Sequence, residues 1–280
     1  MRTKILPDRV LDALKRNRRL YQAARRARMQ VGRVVPPRRL EGLPGRVHFN
    51  DFMLEDTTPR GVERYRERAL NVIRLIERSL DSGGRSFDDI RSWLDFGCGY
   101  GRVIRFLVER ADPERVYASD VIEEAVDFCA SEFGVSPRHS RAALADLELG
   151  RFEFVYAISV LTHLNEENGL VLLQLLRDSL EPRGIVLFTT HGRWSLDNIA
   201  TYGAPYEALK QDVMRRVRED GVAFVPYHHY AEDSYGMTWH SADYVRSQMR
   251  RLHGDEMTLL FHEPHGLDGH QDVFAYQRVG

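Results

Sequence analysis

Trp93-Leu94-Asp95-Phe96-Gly97-Cys98-Gly99-Tyr100-Gly101 starts as an apolar strand, carries an acid at its third position and then places glycine at every second residue. A strand, a glycine-rich turn and a following helix bring backbone N–H groups and a helix N-terminus close to a bound molecule. Glycine permits positive φ there and removes Cβ atoms that would collide with the ligand. The spacing departs from the dinucleotide fingerprint, because the sixth position counted from Gly97 is Arg102 and not glycine. An acid two residues before the first glycine also suits a cationic ligand better than a pyrophosphate. The competing reading is an ordinary α/β turn with chance glycines.

Outward from this turn, strands and helices alternate from residue 90, the pattern of a parallel sheet covered on both faces. Strands are expected over residues 92–96, 115–119, 152–158 and 184–189, with a weakly marked one over 139–143. Helices are expected over 102–110, 122–133 and 166–180. A helix over 242–253 precedes two closing strands, 257–261 and 272–278. The stretch 192–238 is too long for a simple connection and reads as an inserted cover with its own helix, 206–219. Upstream, Thr57-Thr58-Pro59-Arg60 reads as a helix entry, with Val62, Tyr65, Ala69, Val72, Ile73 and Ile76 as its apolar stripe and Ser82-Gly83-Gly84 as its end.

The second strand ends in Ala118-Ser119-Asp120, followed by Val121. An acid at that place can accept from both hydroxyls of a ribose arriving from the glycine turn; the plainer alternative is a cap on the next helix.

These residues resemble the class I methyltransferases that use S-adenosylmethionine, over roughly residues 90–190. The resemblance implies a doubly wound, mostly parallel seven-stranded α/β sheet with an antiparallel last strand. It implies S-adenosylmethionine as cofactor, held by Asp95, Gly97, Cys98, Gly99 and Gly101 of the first turn and by Asp120 and Val121. Asp146-Leu147 stands where that family contacts adenine. Phe154 to Leu164 looks like its fourth strand and following turn, which adds Ser159, and Leu180-Glu181-Pro182-Arg183-Gly184 looks like the turn into its fifth. The pieces Leu94 to Arg102 and Tyr235-Gly236-Met237-Thr238-Trp239-His240 through Gln271-Asp272-Val273 also resemble a bacterial subgroup linked to glycan or natural-product modification.

Methyl transfer to an alcohol or phenol needs an acceptor in line with the methyl group and a group that takes its proton. Histidine titrates in the useful range. His163 after the fourth strand and His191 after the fifth are the candidate bases. His240, where the insertion rejoins the core, and His265 and His270, in the loop before an antiparallel last strand, are candidate substrate contacts. Tyr227 is another, in a polar-aromatic wall with His228, His229 and Tyr230. His163 could instead brace the turn, and the wall could be ordinary packing. His262, His265, His270 and Asp272 fit no standard metal-ligand spacing, so a solvated loop is expected there and no metal.

With 280 residues, 43% hydrophobic, the chain is long enough for one catalytic domain with additions. Its longest apolar runs fall short of the roughly 18 residues of a membrane-spanning helix, and no apolar run follows the basic N-terminus to form the core of a secretory signal. Cys98 and Cys129 form neither a disulfide framework nor a metal pattern, so a reducing cytoplasm is expected. The net charge of −1 hides an asymmetry: residues 1–46 hold fourteen Lys/Arg against three Asp/Glu, and the remainder holds 26 against 38. The organisation expected is a basic, partly helical arm, 1–60, with Val10, Leu14 and Tyr21 on one stripe, followed by a catalytic domain, 61–280. The arm could bind nucleic acid, an anionic membrane or an acidic partner, or dock on its own acidic domain.

The reading is therefore a methyltransferase acting on an oxygen or nitrogen of a small molecule or glycan. One alternative is a nucleic-acid methyltransferase. Against it, the arm has few aromatics, and the position after the fourth strand reads Ser159-Val160-Leu161-Thr162 and not the D/N-P-P-Y/F type. The other is a protein that binds S-adenosylmethionine without turnover. Sequence leaves the oligomeric state open.

Overall fold

The computed structural model describes residues 17–228 and 234–280. Seven strands form one sheet: β3 (Trp93–Phe96), β4 (Val116–Ser119), β5 (Ser136–Pro137), β6 (Phe152–Ala157), β7 (Leu180–Thr190), β10 (Met257–Leu267) and β11 (Gln271–Arg278), in the order β10-β11-β7-β6-β3-β4-β5. β3 to β7 pair in parallel, and β11 runs antiparallel to both β7 and β10. This is the expected seven-stranded architecture with its antiparallel last strand.

Both faces of the sheet are covered, which is why its strands are apolar at nearly every position. Trp93, Phe154, Tyr156, Ile185, Leu187 and Val273 pack on one side against α2 (Pro59–Ser82), α3 (Ile104–Leu107) and α4 (Glu123–Phe133). Their chain neighbours Leu94, Val155, Val186, Phe188 and Phe274 pack on the other against α5 (Glu166–Asp178) and α9 (Ala242–His253). The two-residue period of the strands divides the core into these layers. α2 opens as expected, with Thr58 Oγ1 accepting from Gly61 N–H and Pro59 in the first turn.

Four expectations need correction. The third parallel strand is Ser136–Pro137 and not 139–143, because pairing with Tyr117 and Ala118 sets its place. The helix after the glycine turn is only four residues long, since Arg110 and Ala111 N–H groups both close onto Leu107 O. β7 starts at Leu180, opposite Phe152, and takes a register shift after that pair. The insertion holds more than one helix: α6 (Arg193–Asp197), α7 (Ala204–Ala208), α8 (Lys210–Asp220) and an antiparallel hairpin of β8 (Val222–Pro226) and β9 (Gly236–His240). Leu196, Ile199, Val213, Val217, Val225, Met237 and Trp239 give it a small core of its own. His229 and Tyr230 of the expected wall lie outside the described residues, as do Val10 and Leu14.

At the N-terminal end, α1 (Arg18–Val34) buries only Gly32. Past Pro36-Pro37 come the two-residue strands β1 (Arg38–Arg39) and β2 (Arg46–Val47). Leu43, Val47 and Leu54 belong to the main core. Fully buried Arg105 donates to Pro44 O (2.7 Å) and Arg46 O (3.3 Å), His48 stacks on Tyr100 at 4.5 Å, and Tyr65 Oη donates to the buried Asp51 at 2.6 Å. The stretch after α1 is thus fastened to the glycine turn and α2.

Gly101 takes φ +76°, and a Cβ there would stand 2.7 Å from Phe133 Cε2. Left-handed strain and overpacking each cost about 1–3 kcal/mol. Gly101→Ala is expected to lose at least about 1 kcal/mol of stability in urea unfolding; an unchanged midpoint would contradict the packing described beneath the turn.

Candidate active site

The turn after β3 is gripped by the end of β4. Ser119 O accepts from Gly97 N–H (2.7 Å) and Cys98 N–H (3.0 Å). One Asp120 carboxylate oxygen accepts from Gly99 N–H at 2.8 Å and the other from Ile122 N–H at 2.9 Å. Asp120 therefore ties the glycine turn to the residue that enters α4. Gly97, Gly99 and Gly101 all take positive φ, but for different neighbours: a Cβ at Gly97 would meet Val160 and one at Gly101 would meet Phe133, whereas one at Gly99 would enter open space. Gly99 thus faces the cleft. Val121, 57% exposed, follows Asp120 at its edge.

Behind the turn, Asp95 is buried beside Tyr156, its register partner on β6. Burial pushes its carboxyl up to about 8 against the opposing pull of the Tyr156 hydroxyl, and nearby Asp120 raises it further. The buried Tyr156 Oη has no hydrogen-bond partner of regular geometry. A buried acid held toward its neutral form, with the Tyr156 hydroxyl beside it, therefore lies under the cleft.

The other wall is built by the inserted hairpin. β9 lies along the turn after β6 and the end of β7 through bridges Leu164–Tyr235 and His191–Trp239. Two of its carbonyls, Gly236 O and Thr238 O, meet His163 Nδ1 at 2.9 Å and His191 Nδ1 at 3.2 Å. A carbonyl only accepts, so both imidazoles carry their proton on Nδ1 and keep a lone pair on Nε2. Tyr227 Oη shares the His163 proton at 3.1 Å. The rings stand edge to face, centroids 6.4 Å apart. Burial lowers the pKa of both, and the neighbouring His163 pushes His191 down further. Both are neutral at pH 7.

Residues 62–268 match the family model of a methyltransferase domain. The chain is a class I S-adenosylmethionine-dependent methyltransferase. Among solved structures, an S-adenosylmethionine-dependent methyltransferase from Clostridium acetobutylicum superposes at TM-score 0.50 and 12% identity, over 77% of this chain and 92% of that one. Magnesium protoporphyrin IX methyltransferase from Synechocystis, with S-adenosylhomocysteine bound, gives 0.49 and 14%, over 81% and 91%. The N-methyltransferase NodS from Bradyrhizobium japonicum, in complex with S-adenosylhomocysteine, gives 0.47 and 13%, over 82% and 92%. A comparison with curated proteins finds no match.

The methyltransferase places its other candidates unevenly. Cys98 is engaged within the protein: its N–H goes to Ser119 O and its thiol to Gly99 O at 3.3 Å. Asp146 is exposed with φ +60°, its carbonyl held by Arg141 at 3.0 Å, and Leu147 is half-buried beside it. Ser159, φ +59°, is fastened by N–H to Thr189 Oγ1 (2.8 Å) and by Oγ to the Gln271 amide (2.9 Å). His240 adjoins His191, whose carbonyl accepts its N–H at 2.9 Å, and its side chain lines a narrow cleft with Leu161, Glu166, Leu173 and Tyr244; burial lowers its pKa to about 4. The solvated loop expected over 262–270 is instead mostly strand, because β10 runs on to Leu267 and His262 Nε2 meets buried Asp272 at 3.0 Å; His265 in it is exposed, with its N–H on Asp272 at 2.9 Å. His270 sits at the hairpin tip near Trp194, and its carbonyl takes the Ser195 hydroxyl. No group of three His, Cys, Asp or Glu suited to a metal occurs among the described residues.

Sequence reasoning missed Gln271, Tyr156 and the Tyr202 hydroxyl, which donates to Ser195 Oγ at 2.9 Å beside the His191 ring. Gln271 and Tyr156 each stand in a stretch that the sequence marks, 271–273 and 152–158, whereas Tyr202 carries no such signal.

Asp95 titrates near about 4 in an unfolded chain and near about 8 here. The fold favours its neutral form, so its contribution to stability is full below about pH 4 and drains away as pH rises to about 8. Asp95→Asn abolishes that titration. In urea unfolding across this range, the ligand-free variant is expected to gain on the wild type as pH rises; parallel curves would contradict the burial argument.

Proposed function

We propose that this methyltransferase acts on an oxygen, or a nitrogen, of a small molecule or glycan, with His163 or His191 taking the proton that the acceptor loses. The supporting observation is the pair of β9 carbonyls that holds the proton of each ring on Nδ1 and so leaves the lone pair on Nε2, in rings whose burial favours the neutral form. S-adenosylmethionine supplies a methyl group on a cationic sulfonium.

The residues present fit that cofactor: an open position at Gly99, a carboxylate at Asp120 with lone pairs to spare for a diol, exposed apolar Val121, and the Asp95–Tyr156 pair under the turn. In this reading Asp120 holds the ribose hydroxyls, Asp146-Leu147 and Val121 border the adenine, and Ser159 begins the acceptor wall that Tyr227 and Tyr235 continue. Ring contacts of His163 with Tyr227 and Tyr235, centroids 5.9 and 5.4 Å away, give the wall flat faces for a sugar or aryl ring. Buried thiols at Cys98 and Cys129 suit a reducing cytoplasm, our proposed setting. No described helix is long and apolar enough to cross a membrane.

Incubation with methyl-labelled S-adenosylmethionine and a cell extract, read by mass spectrometry, is expected to put label into a small hydroxylated or amino compound. Label confined to RNA, or no labelled product, would overturn the proposal. With the acceptor in hand, replacing the true base by Ala is expected to lower kcat by about 100 to 10,000-fold while S-adenosylhomocysteine affinity holds. The acid limb of kcat against pH should lie below the ordinary histidine value of about 6.5. If both single variants keep more than about a tenth of kcat, neither residue is the base.

A further inference from the structure

The first described helix presents its apolar side outward. On α1, Leu20, Ala23, Ala27, Val31 and Val34 recur at helical spacing and form one stripe. In a surface helix such a stripe ordinarily faces the core. Here Leu20 is 54%, Val31 45% and Val34 79% exposed, and Ala23 and Ala27 are exposed with them. The helix meets the protein along a different side: Gly32 lies against Asn50, and the Arg28 guanidinium sits over the Phe52 ring at 4.7 Å. Arg33 pairs with Glu124 at 3.5 Å.

Charge says what would cover the stripe. α1 holds six arginines and no acid, and exposed Arg19 and Arg26, seven residues apart, run along the border of the stripe. Exposed Arg38 and Arg39 of β1 follow. An amphipathic helix with arginine on its polar side and leucine and valine on the other lies in the plane of a bilayer interface. Anionic headgroups there attract each arginine while the apolar stripe enters the acyl boundary. RNA would use the arginines and leave the stripe in water; an acidic protein groove lacks the extended apolar plane.

We propose that α1 is an interfacial anchor that seats the methyltransferase on an anionic membrane surface, without crossing it. The proposal is independent of the acceptor and of the proposed base.

Sedimentation of the full chain with sucrose-loaded vesicles tests it, using phosphatidylcholine alone and phosphatidylcholine with 30% phosphatidylglycerol (roughly the anionic fraction that supports polybasic attraction). Binding is expected to the anionic vesicles, and to weaken as salt rises. Leu20→Asp with Val31→Asp should lower it by about tenfold or more, and Arg19→Gln with Arg26→Gln should lower it on anionic vesicles. Unchanged S-adenosylhomocysteine affinity in both variants shows that the catalytic domain stays folded; should the aspartate pair misfold, Leu20→Ala with Val31→Ala is read instead. Equal binding to both vesicle types, no binding to either, or binding indifferent to both pairs of substitutions would overturn the proposal. So would binding to poly(U) RNA, or dimerisation lost in the aspartate variant, in the absence of vesicle binding.

Discussion

The end of β4 holds the glycine turn, and the cleft depends on that grip. One carbonyl, Ser119 O, takes the N–H groups of Gly97 and Cys98, and one carboxylate, Asp120, takes the next, of Gly99, while its other oxygen accepts from Ile122 N–H ahead of α4. The turn cannot shift without unpairing three donors, of which those of Cys98 and Gly99 are on buried or half-buried residues and each cost about 1–3 kcal/mol to leave unmade. Gly99 is thereby kept at the cleft and Asp95 is kept beneath it. The same carboxylate proposed to meet a ribose thus also shapes the turn.

On the acceptor side the constraint is a strand edge. Residues two apart on a strand share a direction, and Gly236 and Thr238 use it to aim two carbonyls at two histidines from different turns of the sheet. The inserted cover is therefore more than a lid. Its hairpin sets the tautomer of both rings, and its small core around Trp239 holds that hairpin straight. Gln271, from the antiparallel strand, secures the strained Ser159 four residues before His163. Three separate stretches of chain thus converge on one wall.

This division explains what was legible in the sequence. The β3 turn and the α2 entry at Thr58-Pro59 are local patterns of period, glycine and cap, and they occur as read; the antiparallel last strand, which the family resemblance implied, is present too. The third parallel strand was not legible, because two residues leave no period and pairing with β4 decides its place. Hairpin β8–β9 was overlooked although Val222-Ala223-Phe224-Val225 is rich in strand formers, since its partner strand is distant and helical spacing upstream dominated the insertion. His163 and His191 follow from strand ends alone; that their rings meet, and that His240 joins His191 through its backbone, follows from tertiary packing. The exposure of the α1 stripe likewise has no sequence signature, because an apolar stripe reads the same whichever way it faces.

Calorimetric titration with S-adenosylhomocysteine, with NAD as the comparison, tests the central claim most directly. Saturable binding of one S-adenosylhomocysteine per chain and no NAD binding are expected, with Asp120→Ala weakening the former by about 1.5–3 kcal/mol, the range for a hydrogen bond to a charged group. Tight NAD binding with no response to S-adenosylhomocysteine or S-adenosylmethionine would contradict it.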